Sequence, residues 1–276
     1  MNRGIPLPIA PTAQRGAKRQ QRSEEYNGVM NDLNPEDWAS NRLLIHLPQE
    51  DQERLRRFLE PVELEYKHEL YNSDERIEYV HFIESGVGSL VCTMADGQAA
   101  EVGTIGNEGV IGLPVLMDDD RAPSSMYVQL PGRGLRMRAA IFREQLEQSR
   151  PMRVVMLRYT HVFFNQVAQT AACAHFHSLE QRCCRWLLMT HDRMPSDTFL
   201  LTHEFLAMML GVRRAGVSLA AGALQRAGMI RYHRGRITIL DRKGLEDCAC
   251  ECYAVSKAEF NGLLGARPRR WDARRL

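Results

Sequence analysis

The chain has 276 residues, 44% hydrophobic and 25% charged, a balance that suits about two globular domains with real cores and excludes general disorder. No run approaches the roughly 18 apolar residues of a membrane span, and Met1 to Gln21 lacks the apolar core of a secretory signal, so the expected setting is the cytoplasm, away from membranes. The net charge of +2 conceals a division: residues 30–150 carry 12 Lys and Arg against 22 Asp and Glu, residues 195–276 carry 14 against 8, and the second stretch is the one suited to a polyanion.

Residues 1–40, with Pro6, Pro8, Pro11 and a basic cluster from Arg15 to Arg22, read as a disordered tail. Met30 is an alternative start, and a basic arm touching DNA is an alternative role. From Leu43 to Leu59 apolar residues recur at helical spacing, with Pro48 suited to opening the second half. Between Val62 and Leu135 short segments rich in Val, Ile and Tyr, among them 79–83, 87–91 and 125–130, alternate with glycine turns, which predicts a β barrel or jelly roll over 41–150. After Ala139 the helical period returns and runs to about Met194, punctuated by Pro151. The segment 151–194 is therefore a long helix plus a hinge helix, whose apolar stripe needs a cover, either a second copy of the chain or its own barrel.

In 195–245, Thr202 suits a helix N-cap and Gly211 a left-handed turn. The next helix places Val217, Ala220, Ala221 and Leu224 on one face and leaves Arg213, Arg214, Ser218 and Gln225 on others. A recognition helix needs this layout, with its first turn in the major groove and its apolar face on the preceding helix. That nominates Arg213, Arg214 and Ser218 as base readers, and Gly216 for a close approach to DNA. Residues 229–240 read as a hairpin turning at Arg234-Gly235, so Thr202, Arg231, His233, Arg234 and Arg236 are candidate phosphate contacts. Residues 246–276 form a C-terminal extension with a basic tail.

The order of these parts resembles the Crp/Fnr family of bacterial transcription regulators. The resemblance spans about residues 43–245 and is carried by Tyr79-Val-His-Phe-Ile-Glu-Ser-Gly86, by Gly109-Val-Ile-Gly112 and above all by Leu201 to Leu240. It implies an α+β protein with a jelly-roll sensor barrel, a long dimerisation helix and a winged helix-turn-helix. It also implies homodimers on two-fold sites in double-stranded DNA, an effector in the barrel that reorients the DNA-binding domains, and RNA polymerase as a partner. Where the family commonly has Arg-Glu-Thr-Val, this chain has Arg214-Ala-Gly-Val217; Arg214 remains a donor for guanine, and without the carboxylate the operator differs.

Cyclic-nucleotide-binding members use a Gly-Glu pair for the ribose and an Arg-Ser or Arg-Thr pair for the phosphate. Here Gly112 precedes Leu113-Pro114 and the phosphate position reads Pro123-Ser124-Ser125, so cyclic AMP is not expected. Glu108, Gly109, Gly112, Arg121, Ser124 and Ser125 are the candidate effector-pocket residues. An N-terminal iron-sulfur cluster is not expected either, since the first cysteine is Cys92. The seven cysteines lack a disulfide framework, with Cys183 beside Cys184. Cys248, Cys250 and Cys252 would converge only in an irregular loop, and His68, His81, His161, His175 and His177 lack convergent spacing, so no metal ligand set is expected. The chain has no Gly-x-x-x-x-Gly-Lys, His-Glu-x-x-His or Gly-x-Ser-x-Gly, and no catalytic role is expected. The competing reading is a cyclic-nucleotide-binding-like adaptor whose helical end binds protein.

Overall fold

A computed structural model describes residues 39–265. The expectations for the N-terminal tail, Met30 and the basic end of the chain lie outside the described residues. Two short helices come first, α1 (Arg42–Ile45) and α2 (Gln49–Arg56). Asn41 caps α1 by accepting from Leu43 N and Leu44 N at 3.1 and 3.2 Å. Its amide donates to Ile83 O and Gly109 O at 2.7 and 2.8 Å, so one buried side chain both starts the helix and fixes it to the strands.

The strands are β1 (Glu60–Leu64), β2 (Glu69–Tyr71), β3 (Tyr79–Ile83), β4 (Val87–Thr93), β5 (Ala99–Ile105), β6 (Val110–Ile111), β7 (Ser125–Leu130) and β8 (Gly132–Arg138), with α3 (Leu113–Leu116) between β6 and β7. They form two four-stranded antiparallel sheets, ordered β1-β8-β3-β6 and β2-β7-β4-β5. Val80, Phe82, Ile111, Met126, Val128 and Met137 are buried, and a side chain at Gly88 would meet Ile111 and Met126. Gly134 of β8 pairs with Ile83 of β3, where a Cβ would stand 2.5 Å from Phe82 O, an approach no other residue allows.

Helix α4 (Ala139–Gln148) ends at Ser149, which caps the 27-residue α5 (Arg150–Phe176) by accepting from Met152 N at 3.1 Å. Pro151 lies in the first turn of α5, where its missing N–H has no intrahelical partner to lose. Met152, Met156, Tyr159, Val162, Phe163, Gln166 and Cys173 form the buried face. The barrel supplies part of the cover, with Phe163 filling the space beside Gly103 and Gln166 Oε1 accepting from Thr104 N at 2.8 Å. On the other side Leu157, His161, Phe164, Ala168, Ala171 and His175 are exposed or half-buried, a run spaced mostly three or four residues apart. No single described helix is long and apolar enough to cross a membrane.

A capping box at Ser178 and Gln181 starts α6 (Leu179–His191). Then follow β9 (Thr198–Leu200), α7 (His203–Leu210), α8 (Arg214–Arg226), β10 (Ile230–His233) and β11 (Arg236–Ile239), the strands forming an antiparallel sheet ordered β10-β11-β9. Two helices follow, α9 (Arg242–Cys248), which begins before the expected boundary at 246, and α10 (Cys252–Gly265). Helix α10 lies along α5, with the Phe260 ring 6.5 Å from that of Tyr159, so α10 covers part of the long helix.

Candidate nucleic-acid interface

Thr202 caps α7, its Oγ1 accepting from Phe205 N at 3.1 Å. The helix stops at Gly211, whose φ of 62° and ψ of 41° are left-handed, and α8 leaves at 109° to α7. Val217, Ala220, Ala221 and Leu224 are buried, while Arg213, Arg214, Ala215, Ser218 and Leu219 face solvent. Arg213 is the N-cap residue but makes no side-chain cap bond, so both guanidiniums are placed to project from the helix's positive end. That end favours an anion.

The wing turns at Arg234 (φ 47°) and Gly235 (φ 76°), the pair of positive φ values that a tight hairpin of natural twist requires. Arg231, His233 and Arg234 are exposed and Arg236 is half-buried. Gly235 O accepts from Leu201 N at 2.9 Å, which sets the wing tip beside Thr202. The proposed phosphate contacts at the helix cap and on the hairpin therefore lie next to one another.

Two residues that no sequence pattern marked tie the interface together. His203 Nδ1 lies 3.0 Å from Ser218 Oγ, and its ring stacks on Tyr232 with centroids 4.2 Å apart. Tyr232 N in turn donates to Gln225 Oε1 at 2.7 Å, so α7, α8 and the wing share one small network. Burial, then the neighbouring Arg214, lower the His203 pKa, so the ring is a neutral spacer rather than another cation at neutral pH. The Ser218 hydroxyl remains at the surface but is oriented by His203. At Gly216 a Cβ would lie 3.0 Å from Leu179 Cδ2 of α6, so its bareness also eases the packing of α8 against α6.

The six effector-pocket candidates fall into separate contact groups. Glu108 forms a buried ion pair with Arg193, just beyond α6, at 2.7 Å to Nη2 and 2.9 Å to Nε. The pair lines a cavity of about 210 Å³ that also touches Asp192, Tyr253 and Lys257. Gly109 lies against Tyr159, and Gly112 (φ 104°) against Val80. Arg121 bonds to Asp74 O, Ser124 Oγ lies 3.4 Å from Cys92 Sγ, and Ser125 Oγ accepts from Ser73 N at 3.1 Å. Glu108 and Gly109 thus belong to the helices, and Arg121, Ser124 and Ser125 to the neighbourhood of residues 72–76 and Cys92.

A further polar group joins barrel to α6. Ser89 Oγ bonds to Glu101 and to Gln129 Oε1, Trp186 Nε1 donates to Glu101 Oε1 at 2.9 Å, and Gln129 Nε2 donates to Thr190 Oγ1 at 3.2 Å. Burial pushes Glu101 up to about 7 against the bonds from Ser89 and Trp186. The expectation that the cysteines and histidines do not converge needs correction. Cys250, in the turn between α9 and α10, and Cys252, the first residue of α10, meet Cys173 of α5 and its cap residue His177 with ligand atoms all within 4.8 Å, while Cys248 stays with Cys184.

Two family models match the sequence, a cyclic nucleotide-binding domain over residues 61–149 and a Crp-like helix-turn-helix domain over residues 181–248. A search of curated proteins by sequence finds no match. Among solved structures, FixK2 from Bradyrhizobium japonicum aligns with a TM-score of 0.60 at 15% identity, over 70% of this chain and 98% of its own. TTHB099, a CRP-family transcriptional regulator from Thermus thermophilus, aligns at 0.56 and 20% identity, over 68% and 96%. The c-di-GMP-responsive global regulator CLP of Xanthomonas campestris aligns at 0.54 and 14%, over 70% and 99%. At such identities the likeness is one of fold, and the two domain matches carry the assignment. A cyclic nucleotide-binding domain followed by a Crp-like helix-turn-helix places the chain in the Crp/Fnr family of transcription regulators.

Proposed function

We propose that this regulator works in the cytoplasm as a homodimer on a two-fold DNA site, reading base edges with Arg213, Arg214 and Ser218. Thr202, Arg231, His233, Arg234 and Arg236 hold phosphates, and RNA polymerase is the downstream partner. The observation that carries the reading is the first turn of α8, where two solvent-facing arginines project from a helix whose opposite face is buried. The dimer reading is supported by α5: Leu157 is 51% and Phe164 67% exposed, and with Ala168 and Ala171 they repeat at the heptad spacing of a two-helix seam.

In the barrel, Glu108 is engaged by Arg193, at the end of the helix that leads into the DNA-binding segment. An effector that moves this pair acts on the reader directly, and the usual ribose and phosphate contacts of a cyclic nucleotide are not what it uses. A gel-shift titration at several salt concentrations tests the DNA reading: affinity falls steeply with salt as counterions are released. Salt-independent retention, or none, would favour the protein-binding adaptor. Phe164→Glu on the α5 stripe yields a monomer by light scattering and loses the two-fold footprint; an unchanged dimer contradicts the seam.

A further inference from the structure

Cys173 and His177 stand one turn apart at the end of α5, and Cys250 and Cys252 flank Glu251 at the junction of α9 and α10. The two pairs are 75 to 77 residues apart in sequence, yet Cys173 Sγ lies 3.5 Å from Cys250 Sγ and Cys252 Sγ lies 3.5 Å from His177 Nδ1. All four ligand atoms fall within 4.8 Å of one another. A tetrahedral ion with bonds of about 2.3 Å to sulfur and about 2.0 Å to nitrogen sets its ligands about 3.5–3.8 Å apart. A cluster of several irons holds its thiolates farther from each other than this group does. Three buried thiols gathered with one imidazole are thus dimensioned for a single ion.

The surroundings fit the same reading. His177 Nε2 lies 3.3 Å from Glu251 Oε2, the carboxylate–imidazole arrangement that turns the opposite nitrogen toward a metal and fixes its tautomer. Gln169 Nε2 donates to Cys252 Sγ at 3.0 Å, a bond that a thiolate accepts better than a thiol. Arg182 and Arg185 of α6 stand close enough to act on Cys173, which offsets the net negative charge of three thiolates around a divalent cation. Cys173, Cys250 and Cys252 are almost wholly buried, as in a closed structural site without an open coordination position.

We propose that Cys173, His177, Cys250 and Cys252 form a structural Cys3His zinc site that fastens the C-terminal helix pair to the end of the long helix. The site joins α10, which lies along α5, and α9, which follows directly on the wing, to one fixed point. Zinc therefore contributes to the seating of the DNA-binding segment on α5, and part of the folding free energy of α9–α10 is metal-binding free energy. This inference rests on the geometry of four side chains and stands whether or not the DNA-contact assignments hold.

The test uses the full chain purified without a metal-affinity column. Elemental analysis is expected to find one zinc per chain, and Co2+ exchanged into the site is expected to give the intense visible bands and thiolate charge-transfer absorption of a tetrahedral sulfur-rich centre. Cys250→Ser loses the metal and the Co2+ spectrum, Cys248→Ser keeps both, and removal of zinc with a chelator lowers the melting temperature of the unaltered protein. Since the first measurements need no variant, a misfolded mutant does not obscure them. Metal-free protein with a Cys173–Cys250 disulfide by mass spectrometry, iron with acid-labile sulfide, or zinc retained equally by Cys250→Ser would each overturn the proposal.

Discussion

The DNA-reading segment and the barrel both carry charged residues on short elements, but those residues meet opposite surroundings. Around α8 and the wing, Arg213, Arg214, Arg231 and Arg234 face solvent, and the groups that do bond one another, His203, Ser218, Tyr232 and Gln225, are neutral and hold the frame. In the barrel, Glu101 and Glu108 are buried and bonded to α6 and to Arg193 beyond it. One region keeps its charge for an outside polyanion, where each contact is gained on binding. The other uses its charge inside the molecule, where separating partners is costly and where Glu101 and Glu108 tie the barrel to Trp186 of α6 and to Arg193 just beyond it.

The difference can be broken at its strongest point first. Arg193→Ala leaves Glu108 buried without its partner and is expected to cost about 3–5 kcal/mol of stability in chemical denaturation. Replacing both partners, Arg193→Met with Glu108→Gln, recovers most of that; a harmless single substitution would show that the pair is solvated and not part of the link. Next is Glu101. Its folded pKa of about 7 lies above the ordinary 4.5, so its contribution to stability is full below about pH 4.5 and is lost as pH rises through 7. That amounts to about 3 kcal/mol across the window. His81, lowered to about 4 by burial and by Arg136, varies in the opposite sense over much of the same range. The signature is accordingly the difference between the stability profiles of the unaltered chain and Glu101→Gln, which should change by that amount between pH 4.5 and 7; a constant difference would place Glu101 in contact with water. The smallest effect is at the reader's frame, where Thr202→Ala removes the α7 cap and costs about 1 kcal/mol in thermal unfolding, with a further loss of DNA affinity if the hydroxyl also holds a phosphate.

The same contrast explains what was legible in the sequence. The reader is built from local signals: a cap at Thr202, a left-handed stop at Gly211, an apolar face from Val217 to Leu224, and a turn at Arg234-Gly235. Each of these is decided within one or two turns of chain, and each stands where the pattern put it. The barrel's strands were readable for the same reason, from alternation and glycine. Its bonds were not, because Glu101 meets Trp186 and Glu108 meets Arg193 across 85 residues, and no spacing encodes that. The packing of Gly216 is equally hidden, since its neighbour Leu179 lies on another helix. The thiol group is hidden likewise: Cys250 sits in an irregular turn and Cys252 opens α10, but half of the set comes from the end of α5.

The most direct test of the reader is a pair of substitutions measured on the true operator and on the same operator changed one base pair at a time. Arg214→Ala is expected to weaken the operator by about 1–3 kcal/mol and to erase the preference at one position in each half-site. Arg234→Ala is expected to weaken all sequences alike and to lower the salt slope by about one. If Arg214→Ala weakened every sequence equally, α8 would be gripping phosphates rather than reading bases, and the assignment of the recognition face would be wrong.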